Sequence, residues 1–420
     1  MILRQPLFGN SGFRIAALAA LLALGTLPQR AMAQTPGDVD AAVRNADRIQ
    51  REQAERQEQE RREQLSKQPR TVLQAPAAAA PNAGAEGPCR DIKEILIEGG
   101  GLMPVERQQA VIAPYTGKCL SVLDIERLLG EITGYYIGRG YISARAYIQT
   151  QDLGTGLLRV LVVEGKTGAL KLEDGERGSV NLSTAFPGAV GAPLNLRDFE
   201  QGLDQINRLS SNKATLDIQP GATPGDSTVV IRNAPTRRLH GSLTYDNYGS
   251  TSTGESQVGA NVLLDNMVGL NDSATVTHRR TVGSDFSDKH SRTTSLLYSV
   301  PFGYFTLTAS QVFSDYAVTV QVPSSATLIA DGVSRITSVI VDYVAYRDQI
   351  NRVSLSSNLT VKTNVNSLAG QKLDSSSRKL SNLDLGASWS TRLAGGSLSS
   401  SANLVQGLSV FGSFNDPDTL

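Results

Sequence analysis

The chain has 420 residues, of which 40 are Lys or Arg and 40 are Asp or Glu, so its formal net charge at pH 7 is zero. This length exceeds one compact domain, and we expect several regions that are built differently. The balanced charge, the low aromatic content and the lack of a basic cluster interleaved with aromatics exclude a nucleic-acid partner.

The N-terminus predicts a secretory signal peptide over residues 1–33. Basic residues precede an apolar run, 15–27, which is followed by Pro28 and the small-residue triplet Ala-Met-Ala at 31–33. The run is shorter than the about 20 apolar residues that span a bilayer, which favours cleavage over a membrane anchor. No later stretch reaches that length, so the mature chain is either soluble outside the inner membrane or crosses a membrane with strands.

Residues 34–68 contain a predicted helix, 38–68, that is rich in Arg, Glu and Gln and has only a thin apolar stripe. Such a helix has no core to join. Two alternatives stand: a solvated or disordered charged spacer, which the composition favours, and a helix inside a wet, polar lumen. The Ala- and Pro-rich stretch 69–88 predicts an extended linker that spans about 60 Å as a polyproline helix.

Cys89 and Cys119 are the two cysteines of the chain. In an oxidising compartment an isolated pair predicts a disulfide. Closing a loop of this size stabilises the fold by about 3 to 4 kcal/mol. A metal site is the alternative, but the histidines, His240, His278 and His290, lie far downstream, which favours the disulfide.

Two copies of a small α+β module with the order β-α-α-β-β follow the linker. The first, 89–165, has predicted elements at 92–98 (strand), 105–115 and 121–137 (helices), 141–150 and 157–164 (strands). The second, 166–235, has predicted elements at 169–172 (strand), just before Phe186 and at 196–209 (helices), 214–219 and 227–232 (strands).

Residues 236–420 alternate apolar and polar residues in segments of about ten, with no helical period. The second face of these segments is rich in Ser, Thr and Asn. That composition is typical of an outer-membrane barrel with a wet lumen, whereas a soluble sandwich needs a dense apolar inner face. The region contains about nine or ten candidate strands. The sequence ends at Leu420 without a terminal amphipathic strand, and a barrel must close to remove its edges, so we expect a barrel truncated at residue 420.

Several short motifs form an ordered pattern through these regions. They are Cys-Arg-Asp-Ile (89–92), Gly-Lys-Cys-Leu-Ser (117–121), Tyr-Ile-Gly-Arg-Gly-Tyr-Ile-Ser-Ala-Arg-Ala (136–146), Gln-Asp-Leu (151–153), Val-Glu-Gly (163–165), Leu-Asn-Leu-Arg-Asp-Phe-Glu-Gln-Gly-Leu (194–203), Asp-Asn-Tyr-Gly-Ser (246–250), Thr-Gly (253–254) and Asp-Asn (265–266). The pattern resembles the outer-membrane transporters of two-partner secretion, the haemolysin-activator and filamentous-haemagglutinin transporter family of the Omp85 superfamily.

The resemblance implies a multidomain chain: an N-terminal plug helix and linker, two tandem POTRA modules, and an antiparallel transmembrane β-barrel. It places the barrel in the bacterial outer membrane and the modules in the periplasm. It also favours the second alternative for residues 34–68, a helix inside the polar lumen, over the charged spacer. The implied function is recognition and export of one large, β-rich client protein of the haemolysin, adhesin or contact-dependent toxin type. We expect a monomer in contact with outer-membrane lipid, without cofactor, metal or catalytic residues.

The motifs supply candidate site residues of two kinds. The candidates for partner recognition in the first module are Arg139, Gly140, Tyr141, Arg145, Gln151 and Asp152, and for the two arginines a role in capping or buttressing the helix-to-strand corner is an equal alternative. The candidates in the first barrel segments are Asp246, Asn247, Gly249, Thr253, Gly254, Asp265 and Asn266.

The sequence also contains features that bear on other functions. The run Glu164–Thr167 resembles the end of a phosphate-binding loop, but Val160 stands where the first glycine is required. The family's inward-folding Val-Arg-Gly-Tyr loop has no counterpart in the 420 residues, so it lies beyond Leu420 or the chain does not act alone. A haem-protein or nutrient release transporter on the same scaffold and a soluble periplasmic chaperone or binding protein are the alternatives.

Overall fold

The computed structural model describes residues 88–174, 178–283, 289–321, 327–393 and 396–413. The signal peptide, the plug helix and all of the linker except its last residue lie outside the described residues. Within those ranges, no helix is both long enough and apolar enough to cross a bilayer.

The first module contains a three-stranded sheet, two helices and a separate two-stranded ladder. Its elements are β1 (Arg90–Ile92), β2 (Glu94–Gly99), α1 (Val105–Ile112), β3 (Lys118–Leu120), α2 (Val122–Gly138), β4 (Arg145–Tyr147) and β5 (Leu157–Val163). Strand β5 is central: β2 pairs with it in parallel and β4 pairs with it antiparallel. Strands β1 and β3 pair with each other.

Helix α2 begins where its sequence predicts. The Ser121 side chain accepts from the Asp124 amide, and the Asp124 side chain accepts from the Ser121 amide, so the two residues form a capping box. The buried side chains Ile125, Leu128 and Ile132 recur at helical spacing on one face. The helix predicted for 121–137 is therefore confirmed.

Two predicted strands of this module differ from the structure. The strand predicted for 92–98 is interrupted at Lys93, because the Lys93 and Glu94 amides both donate to the Gly156 carbonyl. The strand predicted for 141–150 is reduced to β4, because the chain turns where the Tyr141 amide bonds back into the helix. Alternating apolarity did not reveal these backbone bonds.

The second module repeats the topology of the first. Its elements are β6 (Lys166–Asp174), α3 (Leu182–Ala185), α4 (Leu196–Asn207), β7 (Ala214–Pro220) and β8 (Asp226–Asn233). Strand β8 is central, with β6 parallel and β7 antiparallel to it, so the predicted duplication is confirmed. Lys166 and Thr167 begin a strand, whereas a phosphate-binding loop would lead into a helix there.

The remaining described residues form one antiparallel sheet of ten strands. They are β9 (Leu239–Asp246), β10 (Gln257–Asp265), β11 (Ser273–Thr281), β12 (His290–Phe302), β13 (Phe305–Gln321), β14 (Thr327–Arg347), β15 (Asn351–Leu368), β16 (Gln371–Lys372), β17 (Arg378–Leu393) and β18 (Gly396–Leu408). Neighbours in the sheet follow chain order, except that the short β16 pairs only with the end of β15.

The sheet has two chemically different faces, which its register defines. One face, which we call the apolar face, carries Leu296, Tyr298, Val300 and Phe302 of β12 and the residues paired with them. The other, the polar face, carries Thr293, Ser295 and Ser299 of the same strand with their partners. An apolar face toward lipid and a polar face toward a lumen are the arrangement expected of a transmembrane barrel.

Candidate interaction surfaces

The corner after helix α2 joins the two modules. Gly140 has a φ of +95°, which favours glycine, and its carbonyl accepts from the Leu196 amide at 2.8 Å. A Cβ at Gly140 would collide with the Asn195 side chain, which caps helix α4. The Tyr141 amide donates to the Tyr136 carbonyl. This part of the predicted recognition motif therefore forms the contact between the modules.

The two arginines of the motif have different surroundings. The Arg145 guanidinium donates to the carbonyls of Ile142 and Ala144 at 2.8 and 2.7 Å, which holds the turn before β4. Arg139 is exposed, and its guanidinium lies 4.2 Å from the centroid of the Tyr135 ring. The geometry supports the buttressing alternative for Arg145, while contact of Arg139 with a partner stays a prediction.

Gln151 and Asp152 close the open end of the first sheet. The Gln151 amide side chain bonds both the amide and the carbonyl of Arg159, each at 2.8 Å, in the place of a strand neighbour. Asp152 accepts from the Gly154 amide at 2.8 Å and starts the turn that leads into β5. Both side chains are engaged within the module.

Glu164 was not predicted as a site residue, although it lies in the Val-Glu-Gly motif. Its Oε1 accepts from the Leu102 amide at 2.7 Å and from the buried Tyr136 hydroxyl at 2.8 Å. Burial, reinforced by this bond, raises the pKa of Tyr136 above its usual range. Gly99 and Gly100, with φ of +78° and +72°, shape the turn that presents the Leu102 amide. The glycine-rich turn thus presents one backbone amide to the Glu164 side chain, which ties this turn to the end of β5.

The structure pairs Cys89 with Cys119 in a disulfide, with Cα atoms 5.3 Å apart. The bond lies beside the β1–β3 ladder, in which Asp91 is opposite Cys119. It ties the start of the first module to the strand that precedes helix α2.

The candidates in the first barrel segments separate into two groups at opposite ends of β10. Asp246 contacts Arg279 on the polar face, and the turn after it includes the exposed Asn247. Gly249, Thr253 and Gly254 belong to the same turn, where Ser250 and Gly254 form an isolated bridge. Asp265 and Asn266 lie at the other end, about 30 Å away along the strand.

Asp265 and Asn266 face the second module. Asp265 Oδ2 accepts from the Ser211 amide at 2.8 Å and from the Ser210 hydroxyl at 2.9 Å. The Asn266 side chain donates to the Ser179 carbonyl at 3.1 Å. The turn between β10 and β11 is therefore a docking element for the second module.

Helix α4 is buried on both sides, with ten of its 12 residues buried. Its apolar side chains join the core of the second module. Its polar side chains meet the sheet: Gln205 donates to the Gly303 carbonyl at 3.2 Å, and Arg347 Nη1 contacts Asp204 at 2.5 Å and Gln201 at 3.0 Å. Polar residues at helical spacing mark this second face in the sequence, and they are Arg197, Glu200, Gln201, Asp204, Gln205 and Arg208.

Arg208, just after α4, anchors the other end of the junction. Its guanidinium donates to the Ser299 hydroxyl at 3.1 Å and to the Asn271 carbonyl at 3.0 Å. Burial lowers the pKa of Arg208 to about 10, although the charges of Asp265 and Asp272 act in the opposite direction. Helix α4 thus crosses the sheet rim from β11 and β12 to β14 and β15, in contact with polar-face residues.

Comparisons with known proteins agree with this architecture. Residues 225–419 match the family model of the haemolysin secretion/activation protein ShlB/FhaC/HecB. Residues 91–165 match the ShlB-type POTRA domain, and residues 166–220 match a further POTRA domain.

Among curated proteins, the chain is 32% identical to the outer membrane transporter CdiB of Dickeya dadantii, over 84% of the chain and 62% of that protein. It is 30% identical to CdiB of Escherichia coli O6:K15:H31, over 97% of the chain and 69% of that protein. It is 34% identical to the hemolysin transporter protein ShlB of Serratia marcescens, over 84% and 62%. The chain therefore spans about two thirds of the length of these relatives.

Among solved structures, CdiB from Escherichia coli superposes with a TM-score of 0.78 at 29% identity, over 94% of this chain and 70% of that one. The relatives are outer-membrane transporters, so the ten-stranded sheet lies in the outer membrane and the POTRA modules lie in the periplasm. The rim that contacts α4 is then the periplasmic one. The chain belongs to the ShlB/FhaC/HecB family of haemolysin secretion/activation proteins.

Proposed function

We propose that the chain recognises one large exported client protein in the periplasm with its POTRA modules and passes it through its barrel, as a monomer, in two-partner secretion. The observation that carries the proposal is the direct attachment of the second module to the polar face of a membrane sheet. Its relatives are named as CdiB and hemolysin transporters, and a haemolysin, an adhesin or a contact-dependent toxin is the client class that we expect.

The docking surface that we propose is the edge of β2 and the helix-free face of the first sheet. The β4 edge is engaged, because the outward-pointing Ala146 amide donates to the Thr133 hydroxyl of helix α2 at 3.2 Å. Strand β2 is the other outer strand of this sheet. Its Leu96 is 42% exposed, and Tyr147 on the same face of the sheet is 51% exposed.

A client that is rich in β-structure suits such an edge. An extended segment added to β2 gains main-chain hydrogen bonds, while Leu96 offers an apolar contact at that edge and Tyr147 offers one farther across the same face of the sheet. The Arg159–Glu98 ion pair, at 3.0 Å, lies on the same face and provides charge beside these contacts. We propose that the client then passes along the polar face of the barrel and that its folding outside the cell supplies the free energy.

The test is secretion of a large client protein encoded beside the gene of this transporter. Deletion of residues 89–232 should abolish secretion. The point variant Leu96→Glu should lower it by about fivefold or more, because exposed apolar anchors carry much of the affinity of such interfaces. Val122→Glu is the matched control, since Val122 is 67% exposed on helix α2 and lies outside the proposed surface. Normal secretion by the deletion variant would refute the proposal.

A further inference from the structure

Positively charged side chains lie on the apolar face near the extracellular end of the sheet. They are Arg280 of β11, Arg292 of β12, Arg335 of β14 and Lys379 of β17. The register places Arg280 directly opposite Arg292, and Lys379 opposite Thr363, which is itself opposite Arg335. Together they extend over five strand spacings, about 24 Å.

Side-chain alternation assigns these residues to the face that meets lipid. Arg292 has the same parity as Leu296 and Phe302, and Arg335 has the same parity as Val339 and Tyr343. Phe302 is paired with Phe305, and Phe305 with Tyr343, so these side chains form an aromatic cluster at the periplasmic end. Aromatic residues at that level are typical of a membrane interface.

The height of the cations follows from the strand geometry. Arg292 lies ten positions before Phe302, which corresponds to about 33 Å along the strand. With the usual strand tilt this separation is about 25 Å along the membrane normal, the height of the apolar band of such barrels. Arg292 and its neighbours therefore lie at the outer boundary of the hydrocarbon, level with the lipid headgroups.

The cations are arranged in a way that favours a bound anion. Arg280 and Arg292 are both exposed and lie directly opposite each other, so the register brings two positive charges together on this face. The Arg292 Nε donates to Asp315 Oδ1 at 2.8 Å, which holds this guanidinium on the outer surface. The Arg335 guanidinium lies 5.1 Å from the centroid of the Phe313 ring, which holds it against the outer surface.

We propose that Arg280, Arg292, Arg335 and Lys379 form a binding surface for the phosphate groups of lipopolysaccharide in the outer leaflet. Guanidinium groups bind phosphate through two parallel hydrogen bonds, and the spread of the cations suits a headgroup with more than one phosphate. The acyl chains then lie against the apolar side chains below, such as Leu296 and Val339. This surface is independent of the client and of the polar face.

The test uses the full chain purified in detergent, with binding measured by native mass spectrometry. The probes are lipopolysaccharide, phosphatidylglycerol and inorganic phosphate. The double variant Arg292→Gln/Arg335→Gln should weaken lipopolysaccharide binding at least tenfold, while Arg292→Lys/Arg335→Lys should retain most of it. Lys372→Gln is the matched control, because Lys372 is an exposed cation of the short strand β16 and lies outside the proposed surface.

Four results are informative. Weaker binding in the glutamine variant alone supports the proposal. Equal binding by the glutamine variant and the control overturns it. Phosphatidylglycerol binding as tight as that of lipopolysaccharide, or displacement by equimolar inorganic phosphate, also overturns it. Circular dichroism and thermal unfolding of each variant establish that the chain is folded before binding is compared.

Discussion

The junction between helix α4 and the barrel rim gives the sharpest prediction, the effect of Arg347→Met. The Arg347 side chain is 4% exposed, and its Nη1 lies 2.5 Å from Asp204 Oδ2. Its Nε lies 3.5 Å from Glu200 Oε2. Removing one partner of a buried ion pair costs about 3 to 5 kcal/mol, because the remaining charge stays buried.

The neighbouring cations set the magnitude within that range. Glu200 keeps Arg197 at 2.7 Å, and Asp204 keeps Arg352 at 3.9 Å. We therefore expect about 3 kcal/mol, the lower end of the range. This free energy corresponds to an increase of about 150-fold in the population of the undocked helix. Hydrogen exchange of the α4 amides in the full chain measures that population.

A matched control and a double-mutant cycle separate the junction from general destabilisation. Arg159→Met removes an ion pair whose arginine is 57% exposed, and we expect a change within about 1 kcal/mol. Adding Asp204→Asn to Arg347→Met should recover part of the lost protection, since it removes a buried charge that lacks its closest partner. Protection of α4 that is unchanged in Arg347→Met, or reduced equally by Arg159→Met, would refute the reasoning.

Three further predictions concern the first module. Gly140→Ala should destabilise the contact between the modules by about 2 to 4 kcal/mol, because Gly140 has a positive φ and the new Cβ would displace the Asn195 side chain that caps α4. Gly138→Ala, which has open space at its Cβ, should have no such effect. Urea unfolding distinguishes the two variants. Cys89→Ala should lower the free energy of unfolding by about 3 to 4 kcal/mol in pulse proteolysis, and full stability would contradict it. Hydrogen bonds from Ser121 lower the pKa of the Asp124 carboxyl. The stabilising contribution of Asp124 is therefore present above the usual carboxyl range and is lost as the pH falls through the pKa of the folded state. Measuring the unfolding free energy of the wild type and of Asp124→Asn against pH checks this prediction.

Local patterns in the sequence predict most of the fold. The capping box at Ser121, the repeated order of elements and the two-residue period after residue 236 predict the modules and the sheet without long-range information. The helix predicted for 196–209 is present as α4, with its apolar face in the core as expected.

The interactions between regions could not be predicted in the same way. Arg347 and Asp204 are 143 positions apart, and nothing in the sequence around either residue indicates that the two are in contact. The motifs marked Gly140 as a recognition candidate and Asp265 as a candidate of the first barrel segments, but the contacts that both residues make are with the second module. A motif indicates that a residue type is required at a position, while only the fold shows which surface requires it.

The two-sided burial of helix α4 has a consequence for how the chain is divided. The sequence ends the second module at residue 235, yet Arg347 and Ser299, which complete the surroundings of α4, follow that boundary. A fragment cut there would expose a stripe of acidic and amide side chains to water, and Arg347 at the barrel rim would lose the carboxylates that pair with it. Assembly of the barrel in the membrane and docking of the periplasmic module are therefore coupled steps, and the soluble and membrane parts mature as one unit.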